Sequence, residues 1–168
     1  INARRAKGRK RLASDLAVVW PAVDLFRKGG LILQRLKSRR QFQAVLAAST
    51  LARTPHFALH CAALNAADLP SPEKPLFAPC DVWLGAMVPK RWAKRAVTRN
   101  AIKRQIYLLG HDFEHVLAQA AHVVRLRSSF DRSLFPSASS EALKATVRSE
   151  LQQLFSRATA QTPRALSG

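Results

Sequence analysis

The sequence predicts an α+β domain, a small sheet with helices packed against it. Three observations carry this. Apolar runs at 56–64, 81–88 and 122–127 have the length and composition of strands. Stretches at 35–48 and 139–158 place apolar residues at helical spacing. A third helical stretch, 93–109, falls between the second and third strands, so the order is helix, strand, strand, helix, strand, helix. The chain has 168 residues, enough for one core plus tails.

Residues 1–33 are poorly patterned and broken by Pro21 and the Gly29-Gly30 pair. Six basic residues and no acid stand in 1–11, and the only serine before Ser38 is Ser14. That composition is too poor in serine for a transit peptide, and Pro21 interrupts the apolar patch at 16–20. The segment is expected to be a flexible basic arm. Folding starts near Leu33, and the domain is expected to span 34–158.

Ser38 suits the cap of the first helix, with Phe42, Val45 and Leu46 on one face. Pro55 punctuates before the first strand. Residues 65–79 hold four prolines and read as a loop insertion between two strands. Pro89 ends the second strand, and Gly110 is expected to close the helix at 93–109. A short helical piece is expected at 112–119. In the last helix Ser139 or Ser140 caps, Glu141 suits the first turn, and Leu143, Val147, Leu151, Leu154 and Phe155 form the buried stripe. Residues 159–168 are expected to fray. A further edge strand is expected either at 126–134 or before the first helix.

Net charge is +18 and the isoelectric point about 11.6. Such basicity concerns partners more than fold. No stretch reaches the ~20 apolar residues that span a bilayer. Nucleic acid is therefore the expected partner, and no membrane. Cys61 and Cys80 form no CxxC pair and no zinc spacing. A reducing cytosol is the expected compartment.

The most informative segment is 89–104, with seven basic residues and no acid: Lys90, Arg91, Lys94, Arg95, Arg99, Lys103 and Arg104. Arg95, Arg99 and Lys103 follow at four-residue spacing and form one helical ridge. Val97, Ala101 and Ile102 are expected to face the sheet. Asn100 can hydrogen-bond a sugar, a base edge or a local carbonyl. A charge run is most often a solvated helix face, but such faces mix both signs. One sign alone favours a polyanion.

The run Ala96-Val97-x-Arg99-Asn100-x-Ile102-Lys103-Arg104 resembles the Arg-Asn-Arg motif of the bacterial ribonuclease P protein family. Arg35-Leu36-Lys37-Ser38-x-x-x-Phe42-x-x-Val45 resembles that family's first helix, and Pro55-His56-Phe57-Ala58-Leu59-His60 its following strand. The resemblance covers roughly 35–155. It implies a small mixed sheet with a left-handed βαβ crossover, against the usual hand. It implies removal of the 5′ leader from precursor tRNA, with phosphodiester cleavage carried by an RNA subunit and its bound Mg2+. The partners implied are that catalytic RNA and precursor tRNA, with no organic cofactor and no protein partner required. No residue here need be catalytic.

The resemblance implies that Lys90, Arg91, Lys94, Arg95, Arg99, Asn100, Lys103 and Arg104 contact the catalytic RNA. It implies a leader-binding cleft between the first helix and the sheet, with Phe42, Leu46, Phe57 and His60. Aromatic faces there would stack on unpaired bases. Core packing is the plain alternative for Phe42 and Phe57, and a half-buried sheet histidine for His60. The chain departs from the family three positions after Arg104, where a basic residue followed by Glu is usual. Here Tyr107 and Leu108 stand.

His111-Asp112-Phe113-Glu114-His115 imitates a zinc motif, but lacks Glu at the second position and follows Gly110. A polar helix start capped by Asp112 is the expected reading, with no metal. Two other functions fit the composition. A structural RNA-binding protein would be equally basic. A self-sufficient nuclease needs a carboxylate cluster, and ten acids in the chain form none that convinces.

Overall fold

The computed structural model describes residues 33–64, 76–77, 81–131, 133–135, 137 and 140–161. The basic arm, most of the 65–79 insertion, Cys80 and the end of the tail lie outside the described residues. The order is β1 (Leu33–Arg35), α1 (Arg39–Ala47), β2 (Thr50–Arg53), β3 (Phe57–Ala63), β4 (Val82–Met87), α2 (Ala96–Asp112), β5 (Ala120–Leu126) and α3 (Glu141–Gln161). The five strands form one mixed sheet, ordered β1-β4-β5-β3-β2. β1 and β5 run parallel to β4, while β3 is antiparallel to both β5 and β2. Helix α2 therefore joins two adjacent parallel strands. No described helix is long and apolar enough to cross a membrane.

Successive side chains in a strand point to opposite faces, so register assigns each one. Phe57 and Leu59 of β3, Leu84 and Ala86 of β4, and Val124 and Leu126 of β5 share one face. They join Ile102, Ile106 and Leu109 of α2 and Val147, Leu151, Leu154 and Phe155 of α3 in the larger core cluster. Ala121 and Val123 share the other face with Val45 of α1, flanked by Phe42, Leu46, Trp83 and Met87. Two helices thus close one face, and a single short helix lies on the other.

Ser38 caps α1 as expected: Gln41 N–H donates to its Oγ (3.2 Å) and the Gln41 Oε1 accepts from Ser38 N–H (3.0 Å), a full capping box. The helix begins later than the sequence suggested, because Leu33–Arg35 pair as the edge strand β1. That strand answers the expectation of one before the first helix. β2 was not foreseen. It folds back on β3 through Thr54, whose N–H donates to the Phe57 carbonyl (2.9 Å). Ser140 caps α3 by accepting from Leu143 N–H (3.2 Å), and the predicted stripe is fully buried. The helix runs on to Gln161, so 159–161, expected to fray, are helical, and 162–168 lie outside the described residues.

Gly110 does not end α2. It is buried inside the helix, and a Cβ there would collide with the Leu84 side chain. The glycine is a point of close approach between helix and sheet. The piece expected as a helix at 112–119 is a run of turns, and Asp112 ends α2 rather than capping a new helix.

Candidate nucleic-acid interface

Pro89 closes β4, since it has no N–H for the ladder. Its carbonyl accepts from the N–H groups of Trp92 (3.1 Å) and Ala93 (3.2 Å), which turns the chain into α2. The cap position holds Arg95, which makes no side-chain cap. Arg99 serves the turn instead: its Nη1 donates to the carbonyls of Ala93 (3.0 Å) and Lys94 (2.7 Å). One face of α2 is buried through Ala101, Ile102, Gln105, Ile106 and Leu109. Lys90, Arg91, Lys94, Arg95, Asn100 and Arg104 are exposed, and Arg99 and Lys103 half-buried. All eight expected RNA contacts therefore lie on the turn and the outer side of α2. Val97 departs from expectation: it is 57% exposed and faces solvent with them.

Among the described residues, no carboxylate pairs with any of the seven cations in this segment. Arg91 lies over the Trp92 ring, with Cζ 5.1 Å from its centroid. Trp92 Nε1 is buried with no hydrogen-bond partner among the described residues. Beside the turn opens a hollow of about 630 Å³, rimmed by Arg91, Lys94 and Arg95 and floored by Ile102 and Leu143.

The second group of expected residues lies where α1 meets the sheet. Phe42 and Leu46 are half-buried. A Cβ at Gly85 would sit 2.7 Å from Phe42 Cε1 and 2.6 Å from Leu36 Cδ1, so the Phe42 ring rests directly on the strand backbone. His60 lies on the same face, opposite Val123, with its Nδ1 3.5 Å from Thr50 Oγ1. Burial, then the charges of Arg125 and Arg53, push the His60 pKa down, so its ring is neutral at pH 7.

Phe57 does not join them. It points to the opposite face, has no exposed surface, and stands in the α2–α3 core, 6.0 Å from the Phe130 ring. The alternation of strand side chains decides this: Phe57 and His60 are three residues apart and must face opposite ways. The same rule places further residues on the open face. Arg125 follows Val123 by two and so shares the open face, with its Nε buried and without a partner among the described residues. Arg53 pairs with Ala58 beside it. The parallel register sets Met87 opposite Arg125. The basic turn after Met87 therefore leaves the sheet at the end where Arg125 and Arg53 stand.

The zinc-like run does not assemble a site. His111 Nδ1 lies 2.8 Å and His115 Nε2 3.6 Å from the buried Glu114 carboxylate. Among the described residues, no three His, Cys, Asp or Glu side chains converge as ligands for a metal ion. Cys61 is a free thiol, its pKa raised by burial.

The family model for ribonuclease P matches residues 33–159. The chain belongs to the ribonuclease P protein family. Within that family it is 34% identical to the ribonuclease P protein component of Ralstonia pickettii, over 74% of this chain and 79% of that one. It is 37% identical to the ribonuclease P protein component of Burkholderia mallei, over 50% of this chain and 62% of the relative. Its fold resembles the Staphylococcus aureus RNase P protein, with a TM-score of 0.53 at 19% identity, covering 76% of this chain and 97% of that structure. The region matched to the ribonuclease P family holds the whole described domain except the last two residues of α3.

Proposed function

We propose that this protein is the protein subunit of ribonuclease P and acts by binding RNA at two places. The turn at 90–95 and the ridge of α2 hold the catalytic RNA. The open sheet face beside α1 holds the single-stranded 5′ leader of precursor tRNA. One observation carries the reading: seven cations on a single turn and helix face, with no carboxylate paired to them among the described residues. Each phosphate they neutralise releases counterions, which favours any RNA. Arg99 orients the segment through the carbonyls it holds, and Lys94, Arg95, Lys103 and Arg104 present charge. In the cleft, Phe42 and the neutral His60 offer surfaces for unpaired bases, with Arg53 and Arg125 beside them for the backbone. Phosphodiester cleavage belongs to the RNA subunit, which would supply the Mg2+ that the chemistry needs. The protein alone is inactive.

Binding to a bacterial ribonuclease P RNA at several salt concentrations tests the first half. Lys103→Ala lowers the slope of log affinity against log salt by about 0.7–0.9 if it removes one phosphate contact. An unchanged slope places that residue off the RNA. Adding Mg2+ and precursor tRNA to the purified protein alone gives no cleavage at the mature 5′ end. Specific cleavage under those conditions means a self-sufficient nuclease.

A further inference from the structure

Residues 95, 99, 103 and 107 follow one another at four-residue spacing and form a single ridge of α2. The first three are cations. The fourth is Tyr107, whose phenol cannot neutralise a phosphate. Burial pushes its pKa up, so the ring stays uncharged at neutral pH. The ring is half-buried.

That place on the ridge is filled from another element. Arg35, the last residue of β1, lays its guanidinium over the Tyr107 ring with Cζ 4.2 Å from the centroid. Its backbone is fixed by pairing with Leu84, and the next residue's N–H donates to the Leu84 carbonyl (3.0 Å). Arg35 is exposed, and no carboxylate pairs with it among the described residues. A guanidinium stacked on a ring keeps the N–H donors along its edge available to phosphate oxygens.

We propose that Arg35, held on the Tyr107 ring, is the fourth cation of the α2 ridge and contacts a phosphate of the RNA that the ridge binds. The inference rests on the reading of that ridge as an RNA interface. At 107 a ring stands on the ridge in place of a charge, and that ring seats Arg35.

The test measures Kd of the full chain for a bacterial ribonuclease P RNA between about 50 and 200 mM salt, with thermal melting of each variant. Lys103→Ala is the reference. Arg35→Ala shows the same loss of slope as Lys103→Ala, so that the affinity lost across this range shrinks roughly threefold. Tyr107→Phe, which keeps the ring, binds as the unmodified chain does. Tyr107→Leu weakens binding, and adding Arg35→Ala to it weakens binding no further. A wild-type slope for Arg35→Ala beside a reduced slope for Lys103→Ala overturns the proposal and leaves the interface standing. Wild-type slopes for both overturn the interface itself. Additive losses in the double variant overturn the role of Tyr107 as a platform. If Tyr107→Leu fails to melt cooperatively, Arg35→Ala and Tyr107→Phe decide.

Discussion

The two faces of the sheet are covered differently. The face under α2 and α3 is sealed: Phe57, Leu59, Leu84, Val124 and Leu126 have no exposed surface. The face under α1 is covered by a nine-residue helix that buries only Val45 fully. It leaves Phe42, Leu46, His60 and Arg125 half-exposed. Phe77 of the 65–79 insertion also packs there, its ring 5.6 Å from that of Trp83. Leaving apolar and cationic side chains part-open costs burial energy, which under the proposed function is recovered when RNA binds that face.

The sharpest way to break this contrast is to truncate one phenylalanine from each face. Phe57→Ala empties a closed core and costs about 3–5 kcal/mol of stability, seen as a large fall in Tm. Whatever RNA binding survives falls equally for precursor and mature tRNA. A selective loss for precursor would move Phe57 into the cleft. Gly110→Ala tests the sealing itself. Helix propensity alone favours alanine by about 1 kcal/mol. The collision with Leu84 outweighs it, for a net loss on the order of 1–3 kcal/mol. A stabilised variant would mean that the Leu84 side chain re-seats without cost.

Phe42→Ala works on the open face. Its stability cost is smaller, because the ring is only half-buried. Its effect on precursor tRNA is larger than on mature tRNA, by about 1–3 kcal/mol if one leader base stacks on the ring. Equal losses for both would return Phe42 to plain packing.

The smallest expected effect is a pH dependence that both faces share. His60 on the open face and His122 on the sealed face have pKa values lowered, in each case first by burial. His122 Nε2 donates to the Ala118 carbonyl (3.1 Å), so Nε2 carries the proton, and Nδ1 is bare with no partner among the described residues. Each histidine takes up a proton more readily in the unfolded chain. Their contribution is complete above the ordinary value of about 6.5 and is lost as pH falls through the lowered folded value. Urea unfolding between pH 7 and 5 reads this loss. His122→Gln flattens the dependence, and an unchanged profile would show that its burial does not govern it.

Much of this was legible in the sequence. Helical spacing located the α3 stripe, and single-sign charge located the α2 ridge. Ser38 and Ser140 announced their helices because capping is local chemistry. What sequence could not place depended on partners far along the chain. β2 has only four residues and is defined by its pairing with β3. Gly110 looked like a helix stop because the close approach of Leu84 is tertiary. Phe57 was assigned to the cleft by resemblance, although alternation along its own strand sets it opposite His60. The same alternation pointed to Arg125, two residues past Val123. Arg35 needed the structure, since nothing in the spacing of 35 and 107 says that one rests on the other.

The most direct test of the account is cleavage of precursor tRNA at low Mg2+ by a cognate ribonuclease P RNA, with and without this protein. The account predicts faster cleavage with the protein, cut at the mature 5′ end. Tight RNA binding with no stimulation would contradict it and leave a structural RNA-binding protein in its place.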